Sequence, residues 1–216
     1  MASKLHVIGN QHSYLNQWLY ELRDQHLQQD RMRFRLNLER VGEVLAYEMS
    51  KQFSYTETQV STPLGKLEMP LLEEQPVVVS IMRAGVPFHQ GFLSFLDRAD
   101  NGFVSAYRHH TSENEFIVKV EYMAVPDLAG RTVMLIDPMI ATGKSIVLTY
   151  KALETHGIPD KVFIGGVVAS EEGIEYIQQR IPQAEVYVGA MDGELTAKSY
   201  IVPGLGDAGD LAFGPK

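Results

Sequence analysis

Hydrophobic and polar positions change their spacing near residue 70. Between Tyr14 and Phe53, apolar side chains recur every three or four residues, and this spacing predicts two amphipathic helices. Residues 53–70 combine threonine, valine, tyrosine, proline and glycine, a mixture typical of a peripheral β-hairpin. The N-terminal part is therefore predicted to be a helical arm followed by a hairpin.

After residue 70, short runs rich in valine and isoleucine alternate with segments of helical periodicity. The predicted strands are 77–81, 103–107, 116–120, 132–136, 162–168 and 185–188, and the clearest predicted helices are 145–156 and 171–180. This alternation predicts an α/β fold with a largely parallel sheet. Ligands of such sheets bind beside the carboxyl ends of the strands. The segments at those ends are 82–91, 107–110, 137–145 and the residues after 190.

Composition narrows the class of protein without pointing to a reaction. At 216 residues the chain is predicted to form one domain, residues 1–216, in which residues 1–70 pack on a core of residues 71–216. The sequence contains no cysteine, which excludes disulfides, thiolate zinc sites and cysteine nucleophiles. The net charge of -8 opposes nucleic-acid binding. Because no apolar run is long enough for a membrane span or a signal peptide, a cytoplasmic protein is expected.

The strongest local signal follows the predicted strand at 132–136. It is a loop of mostly small residues that opens a helix, here called the phosphate loop: Asp137, Pro138, Met139, Ile140, Ala141, Thr142, Gly143, Lys144 and Ser145. Successive backbone N–H groups at 141–145, with the hydroxyls of Thr142 and Ser145, suit a dianionic phosphate at a helix N-terminus. Asp137 is placed to accept hydrogen bonds from the hydroxyls of an attached sugar.

Two other interpretations apply to the phosphate loop. Its Gly143-Lys144-Ser145 ending is similar to a Walker A loop, but that motif needs a glycine five residues before Gly143, where this chain has Pro138. ATP hydrolysis by such a loop is therefore excluded. The plainer alternative is that Thr142 or Ser145 only caps the helix.

A second unusual stretch, residues 200–210, is called the C-terminal segment. It holds three glycines, one proline and two aspartates, a composition suited to close backbone approach rather than to packing. A calcium loop would need more carboxylates and an acidic final ligand. A tight turn without a ligand stays open on composition alone.

Taken together, these stretches resemble the uracil phosphoribosyltransferase family. The phosphate loop is similar to the family's own, and the C-terminal segment is similar to its base-binding segment almost residue for residue. Residues 82–85 and 107–108 are similar to its pyrophosphate loop and to a later arginine. The resemblance implies a type I phosphoribosyltransferase fold: a mostly parallel sheet flanked by helices, with an N-terminal helical arm, a peripheral β-hairpin and a C-terminal base-binding segment.

The resemblance also implies a reaction and an assembly. The phosphoribosyl group of 5-phospho-α-D-ribose 1-diphosphate (PRPP) would be transferred to uracil, giving uridine 5′-monophosphate (UMP) and pyrophosphate. The cofactor would be Mg²⁺, held mainly by PRPP and through a water by Asp207, with no direct protein ligand. The protein would form a homodimer or a higher homo-oligomer.

The resemblance assigns roles to individual residues. The implied catalytic residues are Arg83, Arg108, Asp137 and Asp207. These four, with the rest of the phosphate loop, would bind PRPP. Uracil would be bound beside Asp207 by the carbonyl of Ile201 and the amides of Gly206 and Ala208.

Two features depart from the family's pattern. Lys144 replaces the second glycine that usually follows the Thr-Gly pair, and residues 109–122 lack the pattern of the family's flap.

The alternative functions are a phosphoribosyltransferase for another base and a catalytically weak regulator that binds PRPP or a nucleotide. The basic cluster at 31–35 is interpreted mainly as a solvated helix face or as inter-helix salt bridges.

Overall fold

The structure, a computed structural model, describes residues 4–110 and 116–215, and the side chains of residues 106–110 and 116–120 lie outside that description. The helices are α1 (Leu15–Arg23), α2 (Arg31–Ser50), α3 (Gly85–Phe95), α4 (Lys144–Leu153), α5 (Glu171–Arg180) and α6 (Ala208–Phe213). The strands are β1 (Leu5–Val7), β2 (Tyr55–Thr62), β3 (Gly65–Leu72), β4 (Val77–Met82), β5 (Asp100–His110), β6 (Phe116–Ala124), β7 (Thr132–Ile136), β8 (Met139–Ile140), β9 (Lys161–Ser170), β10 (Glu185–Asp192), β11 (Glu194–Leu195) and β12 (Ile201–Val202).

The main sheet has the spatial order β1-β10-β9-β7-β4-β5-β6, and β8 extends it beside β9. Neighbouring strands along this order are parallel except for the pair β5 and β6. The mostly parallel α/β sheet that the sequence predicts is therefore confirmed. Since β4, β7 and β10 run in one direction, the residues at their carboxyl ends, Arg83, Asp137 and Asp192, lie at the same edge of the sheet.

Two hydrophobic clusters cover the two faces of the sheet. In β7, Met134 and Ile136 belong to one cluster while Val133 and Leu135 belong to the other, as strand alternation requires. Helices α1, α2 and α3 pack on the first face, and α4 and α5 on the second. Burial on both faces explains why the strands are almost continuously apolar. In the described part of the chain, no helix has the length and apolar character that a membrane crossing needs.

Helices α1 and α2 are joined by a polar cluster beside their apolar contact. Arg33 donates from Nε to Oε2 of Glu21 at 2.8 Å, and Asn37 donates to the same oxygen at 2.7 Å. These hydrogen bonds, above all the one from Arg33, lower the pKa of Glu21 to about 2. The basic cluster at 31–35 therefore contains an inter-helix salt bridge, as interpreted from the sequence.

The hairpin and the N-terminal strand differ in how well the sequence indicates them. Strands β2 and β3 form the predicted antiparallel hairpin, and its strand residues are exposed except for the half-buried Val60 and Leu72. Strand β1 has no counterpart among the predicted strands. It is only three residues long, which is too short to show a period of two, and it joins the sheet edge by pairing with β10.

Candidate active site

The phosphate loop leaves the carboxyl end of β7 and is fixed first by its backbone. The N–H of Asp137 donates to the carbonyl of Gly165 at 3.0 Å, and Oδ1 of Asp137 accepts from the N–H of Met139 at 3.2 Å. The carbonyl of Pro138 accepts from two amides of β9 at 2.9 and 3.0 Å. The loop is thus attached to β9, the neighbouring strand in the sheet, before it turns into α4.

The turn into α4 is made by Gly143, whose φ of 69° lies in the left-handed region that favours glycine. The helix begins at Lys144, which is exposed, and it has no side-chain cap. The alternative that Thr142 or Ser145 merely caps this helix is therefore wrong. The first backbone N–H groups of any helix have no acceptor within the helix itself, and Gly143, the residue before α4, provides no side-chain cap.

Behind the phosphate loop, the start of α5 supports it. Ser170 is fully buried, and its Oγ donates to the carbonyl of Ala141 at 2.6 Å while accepting from the N–H of Gly173 at 2.9 Å. A Cβ atom on Gly173 would lie 2.1 Å from that same carbonyl oxygen, so only glycine allows the helix to approach this closely. The carbonyl of Ala141 is therefore held on the α5 side of the loop.

The front of the phosphate loop forms a small, open cavity. Its lining residues are Asp137, Met139, Ile140, Ala141, Thr142, Gly143, Ser145 and Ile146. Most of the loop residues predicted from the sequence thus surround one space, whereas Pro138 and Lys144 lie outside this lining. Ile146 and the supporting Ser170 were not predicted as site residues, because Ser170 before two glutamates indicates only a helix start.

Arg83 follows β4 and reaches the C-terminal part of the chain. Its Nη2 donates to Oδ1 of Asp210 at 3.0 Å and to the carbonyl of Gly214 at 3.2 Å. A Cβ atom on Gly209 would lie 3.2 Å from Oδ1 of Asp207 and 3.6 Å from Nη2 of Arg83. Arg83 and Asp207, two predicted site residues that are far apart in the sequence, therefore flank the same glycine.

Arg108 lies in β5, where its backbone is opposite Val118 in β6. Strand β5 is parallel to β4, and its pairing with β4 ends at Ser105. The backbone of Arg108 therefore continues past the carboxyl end of β4, on the same edge as the phosphate loop. Its side chain lies outside the described residues, as do residues 111–115 and the other side chains between 106 and 120.

The C-terminal segment folds as a short strand, a turn and a helix. Ile201 is 5% exposed and begins β12, which pairs with β11. Asp207 begins α6 as its N-cap, because its Oδ1 accepts from the N–H groups of Gly209 and Asp210 at 2.9 and 3.0 Å. The N–H of Ala208, the first helical residue, is not used by this cap. The predicted base-binding residues, Ile201 and 206–208, all belong to this short strand, turn and helix start.

A second set of contacts fixes the N-terminal arm to α6 and to the end of β10, on either side of the C-terminal segment. Arg35 of α2 donates to the carbonyl of Ala212 in α6 at 2.7 Å, and Arg23 of α1 forms an ion pair with Asp192 at 2.8 Å. Sequence reading did not identify Arg23 or Asp192. The only available signal is the position of Asp192 after an apolar strand, at the edge where ligands bind.

Comparison with known proteins identifies relatives over nearly the whole chain. Residues 9–215 match the family model described as uracil phosphoribosyltransferase. A protein of Porphyromonas gingivalis with that name is 46% identical over 210 residues, which cover 97% of each chain. One of Pyrococcus furiosus, also so named, is 35% identical over 204 residues, covering 93% of this chain and 86% of its own.

The resemblance extends to three dimensions. The solved structure of the AQ2163 protein from Aquifex aeolicus has a TM-score of 0.85 and 31% sequence identity to this chain, and the match covers 94% of this chain and 96% of that one. With the sequence matches, this agreement covers the sheet, the phosphate loop and the C-terminal segment alike. The chain is a member of the uracil phosphoribosyltransferase family.

Proposed function

We propose that the protein transfers the phosphoribosyl group of PRPP to uracil, forming UMP and pyrophosphate in pyrimidine salvage. One observation carries this proposal: the family match spans residues 9–215 and so includes the phosphate loop and the C-terminal segment together. The same match disfavours the alternatives, which are an enzyme for another base and a weakly catalytic regulator.

The cavity at the phosphate loop is suited to the 5′-phosphate of PRPP. Backbone N–H groups at 141–145 and the hydroxyls of Thr142 and Ser145 would donate to the phosphate oxygens, aided by the positive end of α4. Asp137 also lines this cavity. Its carboxylate would accept hydrogen bonds from the ribose hydroxyls and so orient C1′ for attack by the base.

Arg83 and Arg108 would stabilise the departing pyrophosphate, which gains negative charge as its bond to C1′ breaks. Positive groups aimed at that charge lower the barrier because they bind the transition state more strongly than the substrate. In the described structure Arg83 pairs with Asp210, and the two side chains are 37% and 43% exposed. Exposed ion pairs are worth at most about 1 kcal/mol, so Arg83 can exchange Asp210 for a diphosphate at little cost.

Uracil would be recognised by the backbone of the C-terminal segment. The base presents an acceptor, a donor and an acceptor at O2, N3–H and O4. The carbonyl of Ile201 would accept from N3–H, while the amides of Gly206 and Ala208 would donate to the two oxygens. Cytosine would place its amino group against an amide donor and its unprotonated N3 against the carbonyl. Unpaired buried groups of this kind can reject an analogue by about 10⁴-fold.

Magnesium fits this site as a companion of PRPP rather than as a resident of the protein. Among the described residues no group of three or more histidine, aspartate or glutamate side chains is arranged to hold a metal ion. Oδ1 of Asp207 is engaged in capping α6, so a contact through water would use Oδ2. Bound with PRPP, Mg²⁺ would neutralise charge on the diphosphate and ribose oxygens, as is usual for Mg²⁺ at substrate phosphates.

The proposed function is accompanied by proposals for the domain organisation, the assembly and the cellular location. We propose one domain over residues 1–216, with the N-terminal arm and hairpin attached to the core, a homodimer or higher homo-oligomer as the assembly, and the cytoplasm as the location. Neither a nucleic acid nor a membrane is proposed as a partner, because a net charge of -8 opposes binding to phosphate-rich surfaces.

The proposed function is tested by pyrophosphate release from PRPP and Mg²⁺ with uracil, cytosine, guanine and hypoxanthine in parallel. Uracil should be the substrate, and kcat/KM for cytosine should be lower by at least about a thousandfold. Comparable values for uracil and cytosine would contradict recognition by the C-terminal backbone. Turnover of a purine alone would contradict the function itself.

A further inference from the structure

Arg23 and Asp192 form a bidentate ion pair between the end of α1 and the end of β10. Nη1 of Arg23 lies 2.8 Å from Oδ2 of Asp192, and Nη2 lies 2.9 Å from Oδ1. The side chain of Asp192 is 7% exposed and that of Arg23 is 24% exposed. A pair so far removed from water depends on its geometry, since either charge alone would be poorly solvated.

The pair also holds both backbone polar groups of Gly204. The N–H of Gly204 donates to Oδ2 of Asp192 at 2.8 Å, and the carbonyl of Gly204 accepts from Nη1 of Arg23 at 2.9 Å. Hydrogen bonds to charged groups are stronger and more directional than neutral ones. A single residue in the middle of the C-terminal segment is therefore fixed from two sides by charged side chains.

Gly204 in turn fixes the carbonyl that is proposed to read uracil. Its φ of 56° is left-handed, and a Cβ atom on it would lie only 2.2 Å from the carbonyl oxygen of Ile201. The backbone of Gly204 thus packs directly beside the oxygen of that carbonyl. Any displacement of Gly204 would move the Ile201 carbonyl oxygen relative to the amides of Gly206 and Ala208.

We infer that Arg23 and Asp192 are positioning residues for base recognition, acting through Gly204 on the uracil-binding backbone. The inference rests on the proposed function and goes beyond it by assigning the accuracy of uracil binding to the N-terminal arm. The two side chains contact the C-terminal segment, whereas the phosphate loop is supported by the side chain of Ser170, whose backbone lies beside that of Asp192 in the sheet, and by Gly173. Loss of the pair should therefore affect uracil and leave PRPP binding nearly unchanged.

The test uses Arg23→Gln and Asp192→Asn, with Arg23→Lys as a milder variant that keeps the charge but loses the bidentate geometry. Arg131→Gln is the matched control. The Arg131 side chain is 22% exposed, and it donates to Asp100 at 2.9 Å and to the carbonyl of Gln75 at 3.0 Å, at the opposite edge of the sheet. Both arginines thus contact a carboxylate and a backbone carbonyl, and Arg131 forms a further ion pair with Glu74 at 2.7 Å. The melting temperature of each variant is measured to check that the variant is folded at the assay temperature.

In the Arg23 and Asp192 variants we expect KM for uracil to rise about tenfold or more at saturating PRPP, with KM for PRPP within about twofold of wild type. Arg23→Lys should lie between wild type and Arg23→Gln. Arg131→Gln should lower the melting temperature without changing either KM. Equal changes in both KM values, or a uracil KM no higher than in the Arg131 control, would overturn the inference. Failure of wild type to form UMP would instead overturn the proposed function, and the inference with it.

Discussion

The phosphate loop and the C-terminal segment lie at the same edge of the sheet but are held by different parts of the chain. The phosphate loop is supported by β9 and α5, which follow it within about thirty residues, through Ser170 and Gly173. The C-terminal segment is held by Arg23 and the following α6 by Arg35, through contacts that span 181 and 177 residues of sequence. One site is local and the other is a composite of both ends of the chain.

Because of this difference, we expect PRPP binding and uracil binding to respond differently to structural perturbation. A phosphate site built from consecutive strands and helices keeps its geometry as long as those elements pack. A base site built from distant segments depends on how the N-terminal helices dock on the core. Perturbations of the N-terminal arm should therefore weaken uracil binding before they weaken PRPP binding.

The largest effect is expected from Arg83, which comes from a third loop and contacts the C-terminal segment. Arg83→Ala should lower kcat/KM about a hundredfold or more, because it removes a positive group from the departing pyrophosphate. Asp210→Ala removes only one of the two partners that Arg83 contacts in this structure, so kcat/KM should stay within about fivefold of wild type. Steady-state kinetics of the two variants checks this. Equal losses would show that Arg83 serves mainly to anchor the C-terminal segment.

The local support of the phosphate loop is tested by Gly173→Ala. Its Cβ would meet the Ala141 carbonyl oxygen at 2.1 Å, so loop and helix must separate by about 1 Å. Misplacement on this scale can cost about a hundredfold, and the loss should appear in the KM for PRPP rather than for uracil. Gly193→Ala is the control, since its Cβ would have nothing within 4 Å.

A gentler variant covers the case in which Gly173→Ala does not fold. Ser170→Ala removes the hydrogen bond to Ala141 and the cap of α5, and together these should raise the KM for PRPP about tenfold. A rise in the uracil KM of the same size would contradict the separation of the two sites.

Variants of Lys144 test how much a charged side chain in the phosphate loop contributes to PRPP binding. The left-handed residue is Gly143, and Lys144 is the first residue of α4, so the lysine needs no unusual backbone. Lys144→Gly and Lys144→Ala should change the KM for PRPP no more than about fivefold, because an exposed charge contributes little. The glycine variant should also lose some stability at the helix start. A fall in kcat of about a hundredfold in both variants would make Lys144 a transition-state group.

The smallest expected effect is the loss, at low pH, of the stability that Glu21 contributes in the N-terminal arm. The pKa of Glu21 is lowered from its ordinary 4.5 to about 2, first by the hydrogen bond from Arg33. Its stabilising contribution is therefore complete above the unfolded pKa and is lost as the pH falls from 4.5 towards 2. The difference in melting temperature between wild type and Glu21→Gln should be larger at about pH 6 than at about pH 3. A difference that grows in acid would contradict this assignment.

The sequence predicts the local site better than the composite one. The phosphate loop is readable because Asp137, the small residues and the start of α4 are consecutive, and a buried strand marks where they emerge. The C-terminal segment is recognisable only through its resemblance to a family. No pattern connects Arg23 to Asp192, which are 169 residues apart, because helical and strand periodicities end with each element.

Side-chain partners escape sequence analysis for the same reason. Arg83 is predicted to bind pyrophosphate, yet its contact with Asp210 depends on how α6 docks beside the pyrophosphate loop. Ser170 is readable as a helix cap, but its hydrogen bond to Ala141 depends on the packing of β9 beside the phosphate loop. In both cases the residue type is informative and the partner is set by tertiary structure.

The distance along the chain between Arg23 and Asp192 also has a consequence for synthesis. The two are 169 residues apart, and ribosomes add about 5–20 residues per second, so Asp192 is made roughly 10 to 30 seconds after Arg23. By then the strands and helices around the phosphate loop have all been translated. Until the last strand of the main sheet is made, Arg23 at the end of α1 lacks the carboxylate with which it pairs in the folded protein.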